Sequence, residues 1–213
     1  MKSILIILLL LNFFNQEETE KIFHDGIIKL TTLDFNGAIE NFTKILEQNP
    51  NYYRAYEMRS LSKSNLGDFN GAISDMDTLI VRYPDISGHY ETRAYYKRKA
   101  GDFTGAIEDY TKAIELYKHA SYFINRGNVY ADVEEYTKAL EDYESAIELN
   151  NESGEAYCFA GLAYLKMNEM ELACENLKKA AELGNKSAYK TLKEHCRCFD
   201  NDSTLFKPSK GNL

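Results

Sequence analysis

The sequence predicts an all-α fold, a solenoid of five stacked helix-turn-helix units closed by one further helix. Three observations carry this reading. First, a short phrase returns at a fixed period: Asp34-Phe35-Asn36-Gly37-Ala38-Ile39, Asp68-Phe69-Asn70-Gly71-Ala72-Ile73 and Asp102-Phe103-Thr104-Gly105-Ala106-Ile107, with looser copies at residues 135–140 and 169–174. Its alanines, Ala38, Ala72, Ala106, Ala139 and Ala173, lie 34, 34, 33 and 34 residues apart. A period of this size marks a stacked array, in which each unit buries its apolar face against the next. Second, the apolar residues around each alanine keep helical spacing. Third, turn-forming residues recur between the apolar stretches.

Within each unit the pattern specifies two helices. Four residues past the alanine stands Phe42, Met76, Tyr110, Tyr143 or Leu177, and seven past it Ile45, Leu79, Ala113, Ala146 or Ala180. These offsets share one helical face, where the small alanine admits a close neighbour and the bulky residue fills the space beside it. Pro50 and Pro84 follow the second helix of the first two units and stop it. Sixteen residues before each alanine is Ile22, Tyr56, Tyr90, Phe123 or Tyr157, and twelve before it is Gly26, Ser60, Ala94, Gly127 or Gly161. That is a first helix with its own small-and-large face, joined to the second by a turn containing Gly-Asp-Phe or its equivalent.

Here the chain resembles the tetratricopeptide repeat family, whose pattern is Trp-x-x-Leu-Gly-x-x-Tyr, then Ala-x-x-x-Phe, then Pro. The fullest copy is Tyr157-Cys158-Phe159-Ala160-Gly161-Leu162-Ala163-Tyr164 with Ala173 and Leu177. The resemblance covers roughly residues 17–195 and implies a right-handed superhelix. There are departures. The chain has no tryptophan, so Tyr or Phe stands in, and Arg59, Arg93 and Arg126 occupy a place where the family often has Leu. Their stems can lie on the helix surface with the heads in water. The first copy carries Asp25 and Lys29 at two family positions and is expected to be the most loosely packed, as terminal repeats often are.

Residues 17–185 hold the five repeats, 186–199 read as a capping helix with Ala188 and Leu192 on one face, and 200–213 as a disordered tail. Residues 1–16 begin with one lysine before a dense apolar run, Ile4 to Leu11. This is the shape of a secretory signal peptide and too short for a transmembrane span. It lacks an Ala-x-Ala-like cleavage site. The other readings are an apolar helix packed on the first repeat, or an uncleaved anchor. With a signal peptide the mature chain is exported, periplasmic or secreted, and keeps no integral membrane span; without one it is cytoplasmic.

The composition is 44% hydrophobic and 27% charged, with a net charge of −8. That disfavours a general nucleic-acid binder, which needs basic surface to neutralise phosphates. The four cysteines, Cys158, Cys174, Cys196 and Cys198, all lie in the last repeat and its cap. An even count in an exported chain suggests disulfides. Cys174 and Cys196 lie 11 residues either side of Asn185, the expected turn residue, so antiparallel helices joined there would set them side by side. The same arrangement resembles the C-terminal end of some exported bacterial tetratricopeptide proteins. Four free thiols are the plain alternative. Metal or redox chemistry at His195-Cys196-Arg197-Cys198 is a third, against which stands the usual wider and paired spacing of zinc cysteines. No metal and no cofactor is expected.

The family resemblance implies that the first helices line a concave groove, with groove-facing residues about 15, 11 and 8 before each alanine. Carried over, these are Phe23 and Ile27 in the first repeat, Glu57 and Leu61 in the second, and Glu91, Tyr95 and Arg98 in the third. Ile124 and Asn128 follow in the fourth and Leu162 in the fifth. Such a surface suits an extended peptide or a partner helix. Asn128 matches one asparagine of the clamp with which some family members hold a peptide carboxylate. Ile124 stands where that clamp has lysine, so a chaperone-tail adaptor is not expected. The sequon Asn41-Phe42-Thr43 reads as chance, because Phe42 is a core position.

Enzyme motifs are missing: His24, His89, His119 and His195 are scattered, with no His-Glu-x-x-His, phosphate loop or Gly-x-Ser-x-Gly. Asp109, Asp142 and their acidic neighbours read as solvated outer surface. The expected function is a non-enzymatic scaffold that binds a peptide or helix of another protein in the groove. The alternative is a structural or assembly subunit that associates through its convex face or its ends.

Overall fold

A computed structural model describes the backbone of residues 2–196 and the side chains of residues 16–196. Among the described residues there are eleven helices and no strand. They form two compact units, and the chain passes from one to the other between Asp102 and Phe103. The first holds α1 (Lys2–Thr31), α2 (Phe35–Gln48), α3 (Tyr53–Asn65), α4 (Phe69–Arg82) and α5 (Ser87–Ala100). The second holds α6 (Phe103–Leu116), α7 (Ala120–Asp132), α8 (Tyr136–Leu149), α9 (Gly154–Lys166), α10 (Met170–Glu182) and α11 (Lys186–His195). Helix α1 runs unbroken through the expected signal segment into the first repeat. Cys198 and the expected tail lie outside the described residues.

The repeated phrase is a helix start. Asp34 and Asp68 are N-caps whose carboxylates accept the amide protons of Gly37 and Gly71 at 3.0 and 2.9 Å, satisfying donors that the first turn leaves unpaired. Glycine leaves room for that carboxylate: a Cβ at Gly37 or Gly71 would come 2.2 or 2.1 Å from its oxygen. The residue just before the cap is left-handed in every turn: Leu33 (φ 65°), Gly67 (80°), Gly101 (86°), Glu134 (63°) and Asn168 (63°). Two of the five are glycine, for which this conformation is free of Cβ strain.

Packing follows the small-against-large pattern. A Cβ added at Gly26 would come 2.7 Å from the Phe42 ring, at Gly127 2.7 Å from the Tyr143 ring, and at Gly161 2.7 Å from Leu177. In these three repeats the residue twelve before the alanine thus lies directly beneath the residue four after it. In the second repeat Ser60 takes the glycine's place, with its hydroxyl 3.6 Å from the Met76 sulfur. The alanines themselves are fully buried. The first repeat is not looser than the others. Ala38, Phe42 and Ile45 are completely buried, and Phe23 packs on Phe42 with Arg54 over its outer face. Its unusual Asp25 and Lys29 are joined through Asn41, which donates to Asp25 at 2.6 Å and accepts from Lys29 at 3.2 Å. A glycan on Asn41 would break that cluster.

The arginines do not keep their heads in water. Arg59 makes a two-pronged pair with Asp75 at 2.6 and 3.0 Å and donates to Thr43 on the preceding second helix at 3.1 Å. Arg126 repeats this with Asp142 at 2.7 and 2.9 Å and Thr111 at 2.8 Å. Lys63 adds a second cation to Asp75 at 2.8 Å. Asp75, Asp109 and Asp142 are 3–4% exposed, which corrects the reading of the acidic stretches as solvated surface. The hydrogen bonds it donates to Asp142 push the Arg126 guanidinium pKa up and keep it protonated. Each of these pairs ties one repeat together, and the threonine contact ties it to its neighbour.

At the C-terminal end α11 packs its Ala188 and Leu192 into a cluster with Leu177, Ala180 and Cys158. Asn185 caps it, accepting from Ala188 at 3.0 Å and donating to the Gly154 carbonyl at 3.1 Å. A disulfide joins Cys174 to Cys196 with 5.8 Å between their Cα atoms. Cys158 is a buried free thiol, and burial pushes its pKa up, away from the reactive thiolate.

Two stability outcomes are expected. Asp142→Ala strands a buried guanidinium and should cost about 3 kcal/mol in urea unfolding. The paired change Arg126→Met with Asp142→Leu should cost much less; equal losses would show that the ion pair is not what the site supplies. Replacing both Cys174 and Cys196 by alanine should cost about 3 kcal/mol, because the bridge closes a loop with a sequence separation of 22. An unchanged unfolding midpoint would mean α11 is held by its apolar face alone.

Candidate functional site

The first unit carries an open cleft of about 610 Å³ walled by α3, α4, α5 and the turn before α5. Its rim is apolar and exposed: Tyr53, Leu61 and Ile86 are 40–47% accessible. Its floor is made by Met76 of α4 and Tyr96 of α5. Tyr96 is almost fully buried, with its hydroxyl 3.5 Å from that of Ser60, and burial raises its pKa. An aromatic row, Tyr53, Tyr83 and His89, runs along one side with edge-on rings 6.0 and 6.3 Å apart. Polar groups are few. Glu57 and Glu91 project from α3 and α5. Burial pushes the Glu91 carboxyl up from the ordinary glutamate range. His89 is 5% exposed, its Nε2 lies 3.5 Å from Oε1 of Glu57, and its Nδ1 is buried with no hydrogen-bond partner.

A second cleft of about 540 Å³ adjoins the first and shares Leu61, Glu91 and Tyr96 with it. Tyr95 lines this second cleft, and the Lys99 ammonium sits 5.5 Å from the centre of its ring. The two clefts place Glu57, Leu61, Glu91 and Tyr95 in one continuous depression. The other expected groove residues are elsewhere. Phe23 and Ile124 are each 5% exposed and belong to the packing of their own units. That corrects their assignment to a binding surface: each is large and apolar at a place where its helix meets a neighbour. Ile27 and Leu162 are partly buried against the core. The side-chain oxygen of Asn128 accepts from the Tyr143 hydroxyl at 2.8 Å. Arg98 is half-buried and lines neither cleft.

Sequence reasoning missed Tyr53, Tyr83, Ile86 and His89. His89 stands seventeen residues before Ala106, where the second and fifth repeats have Ala55 and Ala156. The first and fourth repeats have Lys21 and Tyr122 there, so the position varies from repeat to repeat and the repeat pattern does not specify it.

Among the described residues no group of three His, Cys, Asp or Glu side chains could hold a metal ion, and no helix is long and apolar enough to cross a membrane. What the depression offers is apolar area with a few carboxylates.

Glu91→Gln should raise the melting temperature at neutral pH. The carboxyl is pushed up in the fold, so its ionised form is the destabilising one. The cost is present above the folded pKa and disappears as the pH falls below the unfolded value. The gain from the substitution should therefore fade on acidification. A gain that persists unchanged at low pH would mean the burial of this charge is not its source.

Comparison with known proteins agrees with this architecture. Residues 127–168 match a family model described as TPR repeat, and residues 90–119 and 154–185 match the Tetratricopeptide repeat model. No curated protein sequence matches the chain. Among solved structures, a MamA protein is 28% identical with a TM-score of 0.71, covering 82% of this chain and 96% of MamA. TTC0263, a thermophilic TPR protein of Thermus thermophilus, is 21% identical with a TM-score of 0.61, covering 83% and 98%. YrrB, a TPR protein with an unusual peptide-binding site, is 16% identical with a TM-score of 0.66, covering 84% and 94%. Residues 90–119 and 127–185 thus carry tetratricopeptide repeats, and the chain shares the fold of TPR proteins.

Proposed function

We propose that the chain is a non-enzymatic scaffold that takes a peptide or helix of a partner protein in the depression between α3 and α5. The observation that carries this is the exposed apolar rim of Tyr53, Leu61 and Ile86 around a preformed cleft of about 610 Å³. A solvent-exposed cluster of this kind has a cost that a bound partner removes. The cleft is built on helices held by the buried contacts below it, so little ordering is needed on binding. YrrB has a peptide-binding site on the same fold, which is compatible with this use. On this reading the protein works outside the cytoplasm: the N-terminal apolar run supplies the export signal and the Cys174–Cys196 bridge suits an oxidising compartment.

The test is affinity capture of the tagged full chain from its own cells after mild cross-linking. One dominant partner, lost when Leu61→Ala and Tyr95→Ala are combined, is the expected result. A partner held equally well by that variant would instead favour an assembly subunit that associates through another surface. Sequencing the N-terminus of the native protein tests export: a chain that still begins at Met1 has not been processed.

A further inference from the structure

The clefts of the first unit differ in charge. Glu57 and Glu91 both line the larger cleft, and no lysine or arginine is among its described lining residues. The two carboxylates hold the same place in consecutive repeats, 34 residues apart. Of the basic side chains on the neighbouring helices, Arg59 and Lys63 pair with Asp75, and Arg93 pairs with Asp77. The one lysine of the adjoining cleft, Lys99, lies over Tyr95. Desolvation of the Glu91 carboxylate means that water serves its charge poorly. His89 adds to the same imbalance. With its ring proton on Nε2, facing Glu57 at 3.5 Å, the buried Nδ1 is an acceptor left without a donor. The cleft therefore offers acceptors and negative charge, set among aromatic and aliphatic surface.

We propose that this cleft is a subsite for a basic side chain, arginine or lysine, of the partner peptide. The proposal rests on the groove reading above and gives it a chemical specificity. A basic side chain combines an aliphatic stem with a cationic head. The stem fits along Leu61 and Ile86, and the head reaches Glu57 and Glu91. The tyrosine faces of Tyr53 and Tyr83 attract a cation further. Arginine suits the site better than lysine, because its planar fork can meet two acceptors at once while its face stacks on a ring. The Lys99 ammonium makes the adjoining cleft a poor second choice for the same head, so the two clefts would also fix the direction of the bound peptide.

The experiment is selection of random displayed peptides on the full chain and on Glu57→Gln with Glu91→Gln. Synthetic peptides are then titrated with arginine, lysine, citrulline or leucine at the enriched position. Glutamine keeps the shape of glutamate, and an unreduced melting temperature verifies that the variant is folded. Arginine or lysine should be enriched at one fixed position on the wild-type chain only. Citrulline, which has the shape of arginine without its charge, should bind on the order of tenfold more weakly, as for loss of a charged hydrogen bond. That gap should close on the double variant. Apolar residues enriched at that position, or citrulline binding as well as arginine, would overturn the subsite. The groove reading would survive that result if the same peptides were still lost on Leu61→Ala with Tyr95→Ala. If no peptide is selected at all, both readings fall.

Discussion

The structure depends on how closely the two helices of a repeat approach. Where a side chain is missing at Gly26, Gly127 and Gly161, the rings of Phe42 and Tyr143 and the Leu177 side chain lie on bare backbone. The buried alanines of the second helices give the matching small surface. Close packing at this point fixes the distance between helices, and dispersion contacts summed over the interface hold it. The turn chemistry serves the same contact. A left-handed residue followed by a capping aspartate turns the chain sharply enough for the second helix to lie against the first.

Only at that separation can the polar layer form. An arginine on the first helix meets an aspartate sixteen residues later on the second, and in the first repeat Asp25 and Lys29 make a version of the same link through the neutral amide of Asn41. Buried ion pairs contribute less to net stability than their short distances suggest, because both charges lose water. Their use here is registry. A two-pronged pair tolerates no slippage between helices, and the added bond from Arg59 to Thr43 or from Arg126 to Thr111 passes that register to the preceding second helix. Arg59 and Asp75 thus link α3 to α4, two of the helices that wall the cleft.

The cleft itself draws on positions that the repeat leaves free. His89 stands at a position that varies between the repeats, and Tyr83 and Ile86 come from the turn before α5, which the repeat pattern leaves unspecified. The chemistry of recognition is concentrated in these positions, while the repeated ones serve packing. The same division separates Glu57 and Glu91, which face the cleft, from Asp75 and Asp142, which face the stack. All four are acidic residues within helices, and their surroundings distinguish them.

The sequence alone specifies the period, the helix pairs, the capping turns and the small-and-large faces, because each is local: a spacing of residues fixes a helical face, and Asp, Gly and Pro fix where helices begin and end. It also placed Cys174 and Cys196 opposite each other, since a short antiparallel turn at Asn185 leaves little freedom. It did not determine what stands against each face. The burial of Phe23, Ile124, Asp109 and Asp142, the occupation of Asn128 by Tyr143 and the orphaned nitrogen of His89 were decided by how each helix packs on the helices next to it. Helical periodicity reports the direction of a side chain but not its company. Whether a charge is solvated, paired or held in a cleft depends on that company, and so the binding surface emerged only when the helices were stacked.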